Sequence, residues 1–341
     1  MYNRGIDTDE KLDMFLLCDM NLAHDPSIIC DIKKAASSIL DAVINNEKIC
    51  IYGDYDVDGI TSTTIMLTTL NALGADSMFY IPNRLSEGYG MNESAIKEIS
   101  KKGANLIITV DTGITAIEEA KLVSELGMKL VITDHHEKLE NIPEADNLFA
   151  VVDLKRGDDE YPFRDLAGCG IAFKVCQMMK ELVKSDNKYL SLKDSMKDFD
   201  EFRLLELVAL GTIADIVPLV DENRIFVKEG LKLLETTERI GLRLLIEATI
   251  GMDYKNLKAK DVAFNLVPKM NAAGRMSDAS ICVDLLMEED ETVAAGLVRK
   301  LIANNDARKR CEGDIYKEAV DIICLDERYQ NENILLVKNN G

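Results

Sequence analysis

Short apolar runs rich in valine and isoleucine recur through the first half of the chain, and each is followed by a longer stretch with helical spacing. Five runs read as strands: residues 48–53 (KICIYG), 77–82 (SMFYIP), 106–110 (LIITV), 129–133 (KLVIT) and 148–152 (LFAVV). Between them, residues 61–73, 92–102 and 114–127 are long enough for helices and close at or beside Gly74, Gly103 and Gly127, the residue type that most easily takes the left-handed turn ending a helix. A series of this kind predicts an α/β fold, a mostly parallel five-stranded sheet with flanking helices on both faces. From about Gly168 the strand pattern stops, and residues 171–182, 202–213, 224–234 and 242–248 read as helices. Residues 291–326 lack proline and read as one extended helix, after which Ile334-Leu335-Leu336-Val337 is strand-like.

Composition adds little to the fold but narrows the setting. With 341 residues, 47% of them hydrophobic, and only six prolines, the chain can bury a large core. No apolar run approaches the roughly 20 residues that cross a membrane, and the start, MYNRGIDTDEK, lacks the charged-then-apolar order of a secretory signal. The eight cysteines never form CxxC, so they read as core-filling thiols of a reducing compartment rather than disulfides or a zinc site. A cytoplasmic protein is expected. The formal net charge of −20 opposes binding to a phosphate backbone unless bound cations and a local basic patch invert the field at one place.

In open α/β sheets, ligands gather beyond the carboxyl ends of the strands. Here the first strand run is followed by Asp54-Tyr55-Asp56-Val57-Asp58-Gly59, the third by Asp111-Thr112-Gly113, the fourth by Asp134-His135-His136 and the fifth by Asp153. One such aspartate is ordinary capping chemistry for the next helix. Together they are not, because aspartates at i, i+2 and i+4 repel one another at neutral pH, and oxygen-bound cations relieve that repulsion. Adding histidine, of which the chain has only three, moves the preference from calcium toward manganese, with magnesium also suited. Two such ions about 3.5–4 Å apart are a standard device for phosphoester hydrolysis. Gly59 and Gly113 can start helices whose N-termini point at an anion, and the loop from Pro82 to Gly90 adds Arg84 and two glycines after the second strand.

The ordered motifs GDYDVDGITS (53–62), VDTG (110–113), TDHHE (133–137), GTIADIVPL (211–219) and NAAGR (271–275) resemble those of the DHH phosphoesterases, and within them the RecJ-type single-stranded-DNA exonucleases. The resemblance runs from Arg4-Gly5-Ile6 to the C-terminus. It implies the DHH phosphoesterase fold and two divalent cations, Mn2+ or Mg2+. Asp54 and Asp56 would hold one, Asp58, His135 and Asp215 the other, and Asp111 would bridge both. His136 would contact the scissile phosphate, Asp134 would orient an imidazole, and Arg84, Arg275 and Gly113 would bind phosphate. Asp215 rests on the motif match alone, since its surroundings read simply as a helix running into Pro218. Asp153 is left out of the ligand set.

Two departures refine the resemblance. Pyrophosphatases and small phosphodiesterases of the family usually carry a histidine four residues before the middle aspartate; here that residue is Tyr52, which is the RecJ-like arrangement. Full-length RecJ-type enzymes also continue into further C-terminal domains. The expected organisation is therefore a DHH α/β domain at 1–220, a helical extension of it at 221–290, a connector helix at 291–327 and, at 328–341, the start of a truncated DHH-associated domain.

The implied function is 5′-to-3′ exonuclease action on single-stranded DNA in repair and recombination, with a helicase or single-strand-binding protein as partner and no membrane. The basic residues for such a substrate are Arg84, Lys269, Arg275, Arg299, Lys300, Arg308, Lys309 and Arg310. Two alternatives stand beside it: a phosphodiesterase for short oligonucleotides or cyclic dinucleotides, and a non-catalytic DHH-like scaffold.

Overall fold

The computed structural model describes residues 6–84, 86–325 and 334–338. Five parallel strands, β1 (Ile49–Gly53), β2 (Ser77–Tyr80), β3 (Leu106–Val110), β4 (Lys129–Thr133) and β5 (Leu148–Val152), form one sheet in the order β2-β1-β3-β4-β5. Strand side chains alternate between the faces. Ile49 and Ile51 accordingly enter a large core with Leu106, Ile108 and Val110, whereas Cys50, Tyr52 and Ile107 enter a smaller one on the opposite face.

Helices α1 (Asp9–Leu17) and α2 (Ile32–Ile44) precede the sheet. The strand-led reading passes over both. α2 buries Ile32, Ala35, Ala36, Ile39 and Leu40 on one face, the spacing of an amphipathic helix. α2, α3 (Val57–Ala72) and α6 (Gly168–Ser185) contribute to the larger core; α4 (Glu93–Lys101) and α5 (Ile117–Glu125) contribute to the smaller.

α3 begins four residues before the expected start at 61. Asp56 causes this, because its carboxylate accepts from the amides of Asp58 (2.9 Å) and Gly59 (3.1 Å) as the helix N-cap. α3 is buried along most of its length despite its threonines. Thr61, Ser62, Thr63, Thr64 and Thr69 all donate to carbonyls one turn back, so no hydroxyl is buried without a partner.

The second half is helical: α7 (Lys193–Met196), α8 (Leu205–Ala214), α9 (Asp221–Leu234), α10 (Ile240–Thr249), α11 (Ala259–Asp261), α12 (Val267–Met276), α13 (Ser280–Met287) and α14 (Glu291–Leu325). Between α11 and α12, residues Val262–Leu266 widen into a π turn. Pro268, one residue beyond Val267, has no amide for the bond an α-helix would require. The 35-residue α14 buries Ala294, Val298, Leu301 and Asn305, and packs against α10 and α12.

The C-terminal end of the chain departs from expectation. Residues 335–338 belong to no regular element, because an extended run becomes a strand only where a neighbouring strand supplies backbone partners. Arg4, Gly5, Asp326 and most of 328–341 lie outside the described residues. Among the described residues, no helix is long and apolar enough to cross a membrane.

Candidate metal centre

Register builds the site. Gly53 pairs with Val110, Val110 with Thr133 and Thr133 with Val152, so Asp54, Asp111, Asp134 and Asp153 leave neighbouring strands at one level. Asp111 turns there in the left-handed region, at φ 59°, which costs a residue with a β-carbon of order 1–3 kcal/mol unless its surroundings enforce it. Asp215 arrives from elsewhere, as the C-cap of α8. The helix ends there rather than running to Pro218, because Ile216 adopts φ 62°, the left-handed turn that closes helices.

Three sets of side chains converge. Asp54, Asp56 and Asp111 each bring an oxygen within 4.8 Å of the others; Asp58, His135 and Asp215 bring two oxygens and a ring nitrogen equally close, and Asp111, His135 and His136 an oxygen and two ring nitrogens. His135 is central. Its Nε2 lies 3.0 Å from Asp111 Oδ1, 3.7 Å from Asp58 Oδ2 and 3.7 Å from Asp215 Oδ2. Gly59 permits the close approach of α3 to this loop, since a β-carbon there would stand 2.4 Å from the carbonyl oxygen of Asp54.

Burying several carboxylates together disfavours their charged forms. Burial, then the charge of Asp56, raises Asp54 to about 7. Burial raises Asp58 to about 6 against the opposing pull of His135, and raises Asp215 to about 6 with help from Asp56. Asp111 is pushed well above the usual carboxylate range by burial and then by Asp58. Burial also lowers His135, keeping its imidazole neutral and able to donate a lone pair.

The donor set fits divalent cations. Among the described residues, Asp54 Oδ1, Asp111 Oδ1 and both ring nitrogens of His135 are buried with no hydrogen-bond partner, an arrangement that is costly unless another group satisfies it. Oxygen donors with one imidazole suit manganese or magnesium. Asp153 also has a buried oxygen without a partner, and burial raises it to about 7, but it belongs to none of the three sets.

Around the carboxylates, Asp134 accepts from the amides of His135 (2.7 Å) and Ile114 (2.9 Å). Its Oδ1 also lies 2.7 Å from His136 Nδ1, so the imidazole it orients is that of His136. The Tyr89 hydroxyl, which the sequence reading did not single out, lies 3.1 Å from His136 Nε2. Its position in Gly88-Tyr89-Gly90, within the loop that carries Arg84, was the available signal.

The expected phosphate-binding groups need adjustment. Arg84 sits in its loop, with its guanidinium carbon 5.1 Å from the centre of the Tyr55 ring. Arg275 does not lie in a loop; it is exposed in the last turn of α12. The rest of that motif braces the first acidic loop, as Asn271 Oδ1 accepts from Val57 N at 3.2 Å. Neither Gly59 nor Gly113 opens a helix toward an anion. The Gly59 amide is taken by Asp56, and Gly113, at φ 117°, precedes α5 by a separate turn. Farther out, burial and the charge of Lys309 on α14 lower the Lys269 ammonium, so part of the long helix's basic run meets α12.

Residues 48–212 match the DHH family, N-terminal domain. The chain is 42% identical over 323 residues to the single-stranded-DNA-specific exonuclease RecJ of Bacillus subtilis, covering 95% of this chain and 38% of that protein. It is 34% identical over 300 residues to the RecJ of Dickeya dadantii, covering 87% of this chain and 51% of that protein. The chain thus spans between about two fifths and one half of these curated relatives. The crystal structure of an exonuclease RecJ bound to manganese matches with a TM-score of 0.74 and 32% identity, over 85% of this chain and 69% of that one. The Mn2+ complex of RecJ from Thermus thermophilus matches with a TM-score of 0.73 and 30% identity, over 93% of this chain and 42% of that one.

Proposed function

The chain belongs to the DHH family and is of the RecJ type, and from that premise we propose that it is a two-metal phosphodiester hydrolase removing nucleotides from the 5′ end of single-stranded DNA, in repair and recombination. One observation carries the reading: carboxylates and an imidazole from β1, β3, β4 and the end of α8 converge with buried donor atoms that have no hydrogen-bond partner among the described residues. We assign Asp54 and Asp56 to one cation, Asp58, His135 and Asp215 to the other, and Asp111 to both. When bound, the two ions would supply an activated water and offset the charge developing on phosphorus.

The protein's own groups do the rest. His136, hydrogen-bonded to Asp134, is assigned to the scissile phosphate. The Asp134 bond raises its pKa despite burial, so a proton held on the ring favours contact with an anion. Arg84, beside the Tyr55 ring, and Arg275, whose charge also reaches Tyr55, are assigned to a terminal or adjacent phosphate, where a guanidinium can donate two parallel hydrogen bonds. Gly113 is likewise assigned to phosphate, through its own backbone amide rather than a helix N-terminus.

We extend the proposal to the setting. An enzyme acting on single strands needs duplex DNA opened for it, so a helicase or single-strand-binding protein is the proposed partner, and the cysteine pattern supports the cytoplasm.

The test is cleavage of end-labelled single strands with manganese, using substrates with a 5′-phosphate, a 5′-hydroxyl or a blocked 3′ end. The expected result is release of 5′ nucleotides that is indifferent to the 3′ block and abolished in Asp111→Ala/His135→Ala. Retained cleavage in that double variant would overturn the reading, and preference for substrates of two to four nucleotides would favour a small-substrate phosphodiesterase.

A further inference from the structure

α6 is aimed at the centre. Its N-terminus, whose first amides have no partner within the helix, meets the Asp58 carboxylate with the first two of them: Gly168 N lies 2.7 Å from Asp58 Oδ2, and Cys169 N lies 2.9 Å from Asp58 Oδ1. Asp58 is only 1% exposed, so these bonds, together with the positive end of the helix dipole, fix how its oxygens face His135 and Asp215.

The contact leaves no room for a side chain. A β-carbon on Gly168 would stand 2.7 Å from Asp111 Oδ1, and one on Gly211, in α8, would stand 2.7 Å from Asp58 Oδ1, 2.4 Å from Thr61 Oγ1 and 2.6 Å from Cys169 Sγ. Directly beyond lie Asp111 Oδ1 and the His135 nitrogens, buried and unpartnered. α6 therefore ends against a set of groups waiting for a ligand rather than against a closed salt bridge.

We propose that the N-terminus of α6 is a positioning element of the metal centre: the Gly168 and Cys169 amides orient Asp58 for the cation shared with His135 and Asp215, and Gly168 and Gly211 are the two positions that let the helices approach closely enough to do so. The proposal rests on Asp58 serving as a metal ligand. Gly168 and Gly211 never touch substrate; they act through Asp58 and Asp111.

The test uses the full chain and manganese alone. Titration of the apo-protein, followed by calorimetry and by the electron paramagnetic resonance of Mn2+, should give two ions per wild-type chain. Gly211→Ala, whose β-carbon would crowd Asp58, should weaken one of the two by about tenfold or more, and Gly168→Ala, which would also crowd the Asp111 assigned to both ions, should weaken both, the usual cost of disturbing groups that orient a ligand. Each should also lower the melting temperature of the apo form, as overpacking does. If both variants fail to fold, the wild-type protein still decides. Its Gly168 and Cys169 amide resonances should shift with magnesium at the same midpoint as metal binding, while amides in the later turns of α6 stay fixed. Two ions bound at wild-type affinity in the folded variants, or unmoved amides in the wild type, would overturn the positioning role alone. A wild-type chain that binds no manganese would overturn the metal-centre reading beneath it.

Discussion

His136 Nδ1 lies 2.7 Å from Asp134 Oδ1, and that contact, with the His136 amide 3.3 Å from the same oxygen, ties the second histidine of the pair to an aspartate that is 1% exposed. Burial by itself would raise Asp134, but the hydrogen bonds from His136 and the Ile114 amide outweigh it and hold the carboxyl below its ordinary value. The same bond raises His136. Asp134→Asn should lower the His136 pKa, read by titrating its ring resonances. It should also reduce DNA cleavage by roughly 10- to 100-fold, as losses of orienting partners commonly do. An unchanged His136 titration would show that another group sets its protonation.

Much of the sheet and its acidic edge was legible because parallel strands buried on both faces read as continuous apolar runs, and aspartates at strand ends stand out against them. β3, β4 and β5 match their expected spans. Helix starts were less legible. α3 begins at Val57 because Asp56 caps it, yet the sequence marks Asp56 equally well as a metal ligand, and in the fold the capping carboxylate also lies within 4.8 Å of Asp54 and Asp111. Asp215 was invisible to periodicity, since its place depends on where α8 stops, and that depends on a left-handed isoleucine no pattern predicts. Tyr89 and Gly168 were missed for a similar reason. Each matters through a contact across the fold, with His136 and with Asp58 respectively.

Away from the metal centre, Lys174 and Glu222 form a buried ion pair, 1% and 0% exposed in their side chains. Glu222 also accepts from the His24 amide at 2.8 Å and the Tyr161 hydroxyl at 2.6 Å, so the pair fastens the segment before α2 onto α6 and α9. Lys174→Met would strand a buried carboxylate and should cost about 3–5 kcal/mol in urea unfolding. Adding Glu222→Gln removes the unpaired charge, keeps an amide oxygen as acceptor for the His24 amide and places an NH2 that can donate to the Tyr161 hydroxyl, and should recover much of that loss. Equal stability of the single and double variants would mean that packing, not charge, governs this site.

His24, the histidine outside the DHH motif, has its Nε2 2.8 Å from Asp221 Oδ1. That hydrogen bond raises its pKa, against burial and with help from Glu222. A raised folded-state value means the folded protein binds the proton more tightly than the unfolded chain does. The resulting stability is fully present below the ordinary histidine value of about 6.5 and is lost as pH rises through the higher folded value. His24→Gln removes the titrating group, and subtracting the variant from the wild type cancels the metal-centre carboxylates common to both. In metal-free buffer, the unfolding free energy of wild type minus His24→Gln should therefore be larger at pH 6 than at pH 8.5. A difference that is flat across that range, or that grows with pH, would mean that the His24–Asp221 contact does not favour the protonated ring.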